Sequence, residues 1–468
     1  MTPTTRRPAT RRLVPAVALA ALGLLSPLGC STELLEVEDP DILLDANSPA
    51  GAVALRNGVV LRLAQAVTGT QGPDALFVYG GLLTDEWRSG DTFVQRNNQD
   101  QRIWDPQNTF NAGPFRALNR IRVEAQRAIA SLRQWVPQPD STFLIGQMYA
   151  LTAYSMVLIG EHYCNGTPLS EVQGTAVVFG DPLSNDSLFA LAVVFADSAL
   201  LNTRGRDSAR TRQLAAVVTG RALLDRGRAN LPAAAAAVAA VATTFRFDVS
   251  HALNVNQNQI WGLNNSAKRY TMVDVEGGVG MNYMTANDPR LPRATGTSTA
   301  NDLIFDSAFP LFVTRQGIWA RTTSVAIASG IEARLIEAEA QLQAGNTTPW
   351  LTAINTLRTT TANYPAVQTG FTRGPTLTAL AQPATTAARE DVMFRERAFW
   401  MFGSGHRLGD MRRLIRATAS GGYGRTEAQV YPTGNFFKGG VYGDAIQLSI
   451  PQDEANNPNF TQCTDRLP

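Results

Sequence analysis

Residues 395–414 read RERAFWMFGSGHRLGDMRRL and place His406, one of three histidines in the chain, four residues before Asp410 and among five arginines. A nucleophilic relay would need a Ser or Cys against the histidine, and Ser404, two residues away, is too local for the usual geometry. An i, i+4 His/Asp pair is a possible metal half-site, but no HExxH or CxxC accompanies it, and His162 and His251 are lone residues elsewhere. No metal site is therefore expected. Architecture explains more of the residues. REDVMFRERAFWMF has the spacing of an amphipathic helix, GSG breaks it, and HRLGDMRRLIR starts another. Arg395, Glu396, Arg397, Arg407, Asp410 and Arg412 are then placed to form ion pairs that fix the angle between two packed helices, with Glu332, Glu337 and Glu339 as further partners.

Helical texture extends outward from this stretch. Leu55, Val59, Leu63 and Val67 line one face of a helix of about five turns. PFRALNRIRVEAQRAIASLRQW, FLIGQMYALTAYSMVLIGEHY, SLFALAVVFADSALL, RQLAAVVTGRALLDRGR and LPAAAAAVAAVAT follow, with Pro114 and Pro232 near helix starts. Ile331, Leu335, Ala338 and Leu342 face one way before Gly345 stops that helix, and PWLTAINTLRTTT supplies its partner. Small residues recur beside Leu, Val and Tyr, so neighbouring helices approach closely, as in tetratricopeptide-like hairpins without a strict 34-residue repeat. The fold class expected is mainly α. Helical hairpins span about 50–244 and 328–416, and an irregular loop and short-strand lobe spans about 245–327. A tail at 417–468 contains AIQLSIP, whose alternating Ile446, Leu448 and Ile450 read as a short strand.

The N-terminus has the features of an export signal. Arg6, Arg7, Arg11 and Arg12 precede the apolar run Leu13–Leu25, which is too short for a settled membrane span, and SPLGC ends it with Gly29 before Cys30. Residues 1–29 read as a lipoprotein signal peptide, Cys30 as the acylated first mature residue, and 30–49 as an acidic tether to a single domain at 50–468. An ordinary secretory signal with an incidental cysteine is the alternative. In an oxidising compartment the remaining Cys164 and Cys463 form either a disulfide or two separate thiols. Net charge is +2 with 17% charged residues, which argues against a nucleic-acid partner. Lys268 and Lys438 are the only lysines.

RERAFWMFGSGHRLGDMRRL, with RLIEAEAQLQAGN before it and LSIPQDEANNPNFTQ after it, resembles the SusD/RagB family of outer-membrane nutrient-binding lipoproteins. The family pattern of an Arg-Glu-Arg helix, Glu-Gly-x-Arg and Asp-Leu-Arg-Arg is matched by Glu396, Arg397, Gly405, Arg407, Asp410, Met411, Arg412 and Arg413. Trp400 and Ser404 stand where the family commonly has glutamates, which marks a divergent branch. YALTAYSMVLIGEHYCNGTPLSE and the strand-like NQNQIWGLNN are weaker likenesses. The resemblance implies a tetratricopeptide-like scaffold with an irregular ligand-binding lobe, an outer-membrane lipid anchor, and a SusC-like TonB-dependent barrel as partner. It also implies a nutrient, often a glycan, that is bound and not cleaved, with no cofactor.

The ligand residues of that family are not part of its recognisable motif, so candidates are chosen by chemistry. Flat aromatics in Asp-, Asn- and Arg-rich loops suit sugar stacking, which nominates Trp87, Arg88, Trp104, Tyr270 and Tyr283. Trp261 and Trp319 lie in strand-like contexts and are assigned to the core. The GGVGMN run lacks the Lys-Ser/Thr of a phosphate loop. Two rivals remain. An exported glycoside hydrolase or lyase would need paired carboxylates, for which Glu86 with Asp91, or Glu276 with Asp274, are available. A tetratricopeptide-like scaffold lipoprotein of envelope assembly would need an empty concave groove.

Overall fold

The computed structural model describes residues 47–69, 75–173, 176–203, 208–274, 281–297 and 300–464. The signal stretch, Cys30, most of the tether, Glu276 and positions 277–280 of the glycine run lie outside the described residues.

Helices dominate: α1 (Pro49–Val67), α2 (Leu76–Gly80), α3 (Val94–Asp100), α4 (Thr109–Trp135), α5 (Asp140–His162), α6 (Asn185–Leu201), α7 (Ser208–Asp225), α8 (Leu231–Val238), α9 (Gly330–Gln343), α10 (Thr347–Thr359), α11 (Thr386–Trp400), α12 (Arg407–Ile415) and α13 (Glu427–Val430). Several begin at side-chain caps that satisfy otherwise orphaned amides. Ser48 Oγ accepts from Gly51 N at 3.0 Å, Asn108 Oδ1 from Phe110 N at 3.1 Å, and Ser329 Oγ from Glu332 N at 3.1 Å. The Asn108 cap starts α4 five residues before Pro114, so that proline lies inside the helix and not in its first turn.

The long helices pack in sequence, α1 on α4, then α4 on α5, α5 on α6, α6 on α7, α7 on α8, α8 on α9 and α9 on α10, with α11 returning against α9. Small residues allow the close approaches. A Cβ on Gly160 of α5 would lie 2.5 Å from Phe189 Cε1 of α6, and Ala192, Ala196 and Ala199 of α6 are buried. By length and composition α5 is apolar enough to cross a bilayer, yet 83% of its most apolar window is buried inside the protein. It is the central core helix, packed on α4, α6, α7 and α12.

Helices α8 and α9 touch although residues 239–329 separate them in sequence. That excursion leaves and returns through one antiparallel neck, Arg246–Val249 against Val325–Ser329. Every described sheet has two strands. Within the excursion Arg293–Thr295 pairs with Thr314–Gln316, and Tyr270–Thr271 pairs with Arg88–Ser89. Two strand expectations change. Asn258 Oδ1 accepts from Ile260 N at 3.0 Å and Trp261 N at 3.4 Å, and this cap winds Trp261–Ser266 into a helical turn instead of a strand. Trp261 is accordingly half-buried, whereas Trp319 belongs to the core.

The segment around Ile446, Leu448 and Ile450 is extended but makes only a single bridge, Tyr163 to Leu448. It is held from two sides. Ala445 N donates to Arg102 O at 3.0 Å and Gln452 N to Pro106 O at 3.1 Å, while Leu448 N donates to His162 O at 2.7 Å. Further along, Cys463 is joined to Cys164 by a disulfide with a Cα–Cα distance of 5.7 Å.

Candidate functional site

Helices α11 and α12 meet in a buried charge network. Asp410 accepts from Arg397 Nε at 2.8 and 3.0 Å and from Arg413 Nη2 at 2.6 Å. Arg413 reaches on to Glu339 of α9 at 2.6 Å, and Tyr423 Oη donates to the same carboxylate at 2.6 Å. Glu396 pairs with Arg290 of the excursion at 2.6 Å and with Arg358 of α10. Burial alone would raise the Asp410 carboxyl, but Arg397 and Arg413 outweigh it and hold it well below the ordinary range. Of the other partners expected for this network, Glu337 instead pairs with Arg334 of its own helix at 3.1 Å, and Arg395 reaches Asn282 at 2.7 Å. Arg407 is buried in the same region.

Arg412 has a different role. Its Nη1 donates to the carbonyls of Gly160 and Glu161 at 2.8 Å each and Tyr163 at 3.2 Å, capping the C-terminus of α5. Burial lowers this guanidinium to about 10. Gly405 turns the chain between the helices at φ +75°, and a Cβ there would lie 2.3 Å from the Phe77 ring. The stretch acts as masonry: among the described residues Arg407, Gly409, Arg412, Arg413 and Leu414 line only crevices of about 10 Å³.

A cavity of about 880 Å³ lies elsewhere, between the loop at 104–107 and the C-terminal segment at 444–463. Trp104, 40% exposed, lines it together with Phe460, Asp105, Asp444, Gln447 and Gln462. Cys463 forms part of the wall, so the disulfide ties that wall to the end of α5. Ser449 Oγ donates to Asp105 O at 2.9 Å and accepts from Asn111 Nδ2 at 2.7 Å, which fixes the loop against the segment. Arg102 does the same from beneath. It donates to Ala445 O at 2.9 Å and Pro432 O at 2.8 Å, and its guanidinium stacks 4.7 Å from the Tyr431 ring centroid. An indole face with amides and carboxylates around it suits a polyhydroxylated ligand.

The other four nominated ligand residues are not at this cavity. Trp87 is 0% exposed and packs 5.0 Å from Phe402, and Tyr283 lies 5.1 Å from the same ring. Tyr270 is buried on the strand that pairs with Arg88–Ser89. These three rings are core: Trp87 and Tyr283 pack on the turn after α11, and Tyr270 lies beside Ser89 with the Arg96 guanidinium 5.6 Å from its ring centroid. Arg88 is half-buried with its guanidinium 4.6 Å from the Phe437 ring centroid.

No family model and no curated protein sequence matches the chain. Solved structures do match. A SusD homolog from Bacteroides thetaiotaomicron aligns with a TM-score of 0.62 at 12% identity, covering 89% of this chain and 97% of its own. A SusD-like carbohydrate binding protein from Bacteroides fragilis gives 0.61 at 14% identity, covering 89% and 99%. A SusD superfamily protein from Parabacteroides distasonis gives 0.60 at 13% identity, covering 89% and 98%. The chain has the SusD fold.

Within this SusD fold His406 sits in a closed polar chain with Ser404 and Glu332. Ser404 Oγ lies 2.9 Å from His406 Nδ1, and His406 Nε2 lies 3.0 Å from Glu332 Oε1, an order that superficially matches a nucleophilic relay. All three residues are buried, and the Ser404 hydroxyl donates to Met401 O. Burial and the nearby Arg221 push His406 down, only partly offset by Glu332. None of the three lines the cavity beside Trp104.

The carboxylates nominated for hydrolysis are likewise engaged. Glu86 accepts from Gly403 N at 3.1 Å, Asp91 pairs with Arg96 and Arg269, and Asp274 accepts from Met284 N at 2.6 Å. Among the described residues no group of three His, Cys, Asp or Glu side chains is arranged to hold a metal. Sequence reasoning missed Gln447, Phe460 and Arg102. A signal for the first was present, since Gln447 is the off-phase residue between Ile446 and Leu448.

Proposed function

We propose that this protein is a divergent member of the SusD/RagB family, a binding protein that takes an oligosaccharide into the cavity beside Trp104 and does not cleave it. The carrying observation is that cavity: about 880 Å³, lined by the exposed indole of Trp104 and by Phe460 together with amide- and carboxylate-bearing residues, room for several sugar units. The Bacteroides fragilis neighbour is described as carbohydrate binding, which supports the same ligand class. Acylation at Cys30 anchors the chain to the outer membrane, facing the exterior, and the acidic stretch behind it acts as a tether. From there it delivers ligand to a SusC-like TonB-dependent transporter.

The test has two arms. Outer membranes solubilised in detergent are passed over the tagged full-length protein, and a TonB-dependent barrel should copurify. Metabolic labelling with a palmitate analogue should mark the wild type and not Cys30→Ser. In the second arm, Trp104→Ala should lower affinity for a glycan at least tenfold with an unchanged melting temperature, because the ring is exposed. If the purified protein shortens a polysaccharide, the hydrolase reading replaces this one. If no barrel, label or glycan is found, the reading fails.

A further inference from the structure

The walls of the cavity beside Trp104 are joined by a short ladder. Gln101 Nε2 donates to Val441 O and Gly443 N to Gln101 O, each at 2.8 Å, and Ala445 N donates to Arg102 O at 3.0 Å. The segment 435–443, whose turn is closed by a bridge between Asn435 and Val441, is thus clamped on the end of α3, where the two walls at 104–107 and 444–447 begin.

Two carboxyl groups lie beside this clamp. Asp85, from the loop after α2, and Asp100, the last residue of α3, are both 0% exposed, and their side chains hydrogen-bond to each other. Asp100 Oδ2 also accepts from Ser89 N at 2.8 Å, whereas its Oδ1 accepts from no N–H or hydroxyl among the described residues. Two carboxyls bond to each other only through a proton, so the pair holds one. The clamp supplies part of the cover: Tyr442 Oη donates to Asp85 Oδ2 at 3.5 Å and hydrogen-bonds with Arg88, while Lys438 acts on Asp100 and is itself tied to Asp306 at 2.7 Å. Burial pushes the Asp100 carboxyl up to about 7, and the Arg88 guanidinium, the Ser89 amide, Asp85 and Lys438 oppose that shift without cancelling it.

We propose that Asp85 and Asp100 form a proton-operated latch: with the proton in place the 435–443 segment stays clamped on α3, and without it the segment lifts, hydrates the two carboxylates and parts the cavity walls. In the lifted form the Asp100 carboxyl is hydrated and titrates near its ordinary 3.8. Between about 4 and 7 the closed form therefore holds a proton that the lifted form releases, and each rise of pH favours lifting, by up to about tenfold per unit, with no further change above about 7. The cavity is tighter at mildly acidic pH. The latch acts on the fold itself, so it stands or falls independently of the glycan-binding reading above.

The full-length protein is followed by hydrogen exchange from pH 5 to pH 7, with rates corrected for the intrinsic pH dependence of exchange. Opening at the Gly443 and Ala445 amides should rise several-fold per pH unit in the wild type. It should stay level in Asp100→Asn, whose amide keeps an acceptor for Ser89 N and a donor for Asp85. Asp85→Asn serves where the first variant does not fold, and it should level the profile in the same way. Hydroxyl-radical footprinting at the same pH values reads the cavity. Oxidation of Ile446 and Ile450, each 2% exposed, should increase as the segment lifts, measured against the 81% exposed Leu201. A flat wild-type exchange profile overturns the latch. A profile that persists in a folded Asn variant assigns the pH dependence to another group and overturns it as well. Lifting without a change at Ile446 and Ile450 confines the movement to the clamp and overturns its control of the cavity.

Discussion

Arg397 Nε lies 2.8 Å from Asp410 Oδ2, and neither side chain is more than 3% exposed. Removing one partner of such a pair leaves an uncompensated buried charge, which costs about 3–5 kcal/mol. Asp410→Ala should therefore lower the denaturation midpoint strongly. Because the folded carboxyl is held below its ordinary value of 3.8, its contribution is complete above that pH and is lost as pH falls further. Asp410→Asn should lack that acid-sensitive component. His406→Ala, by contrast, should leave glycan affinity intact, as measured by calorimetry on the folded variant. A large loss of affinity there would show that the buried network takes part in binding.

His162 is the titrating group to watch. Its Nδ1 lies 3.0 Å from Leu158 O at the end of α5, and burial together with Arg221 lowers it to about 3. Between about 6.5 and 3 the unfolded chain therefore binds a proton that the folded chain refuses. Stability should fall as pH drops through that window, by up to about 1.4 kcal/mol per pH unit from this one site. Urea midpoints from pH 7 to 5 should decline more steeply for the wild type than for His162→Gln. Parallel declines would show that His162 protonates normally.

Gly405→Ala should destabilise the protein by roughly 2 kcal/mol or more, because it adds a left-handed backbone penalty to a clash with Phe77. The measurement is again a denaturation midpoint. Gly345→Ala, which also has positive φ but meets no atom within 4 Å, isolates the backbone part and should cost about 1 kcal/mol.

The Cys164–Cys463 bond closes a loop across a sequence separation of 299 residues, which in the chain-entropy account stabilises by about 5.7 kcal/mol, less any strain. Dithiothreitol should lower the wild-type midpoint and leave a Cys164→Ser/Cys463→Ser double variant unmoved. Since Cys463 lies in the cavity wall, ligand affinity should fall in the double variant as well. Unchanged affinity would show that backbone bonds alone hold that wall.

The charged stretch at 395–414 was legible because helical spacing and charge order are local properties, and the structure places Glu396, Arg397, Asp410 and Arg413 in one buried network. Trp400 and Ser404, which depart from the pattern of the resembled family, do not break it. Trp400 lies under Arg290, 5.1 Å from ring centroid to guanidinium, and Ser404 turns to Met401 O. The aromatic candidates were not separable in the same way. TDEWRSGD and QRIWDPQN are equally polar around their tryptophans, yet Trp87 is sealed and Trp104 is exposed. What divides them is tertiary. A Cβ on Gly81 would lie 2.5 Å from Trp87 Cδ1, and Phe402 covers its ring, whereas Trp104 faces a segment some 340 residues onward that leaves a gap. Arg102 was invisible for a similar reason, since its left-handed φ of 60° and its carbonyl partners near 432 and 445 appear only after the chain has folded back.

The antiparallel neck at Arg246–Val249 and Val325–Ser329 gives the intervening 75 residues the standing of a cassette. Their two ends are already side by side, so lengthening or shortening the insert changes closure entropy only logarithmically. Loop lengths within the insert can thereby vary while the register of α8 on α9 stays fixed, but Arg290, Tyr270 and Tyr283 dock it on Glu396, Ser89 and Phe402, so a graft cut at the neck has to carry those contacts with it.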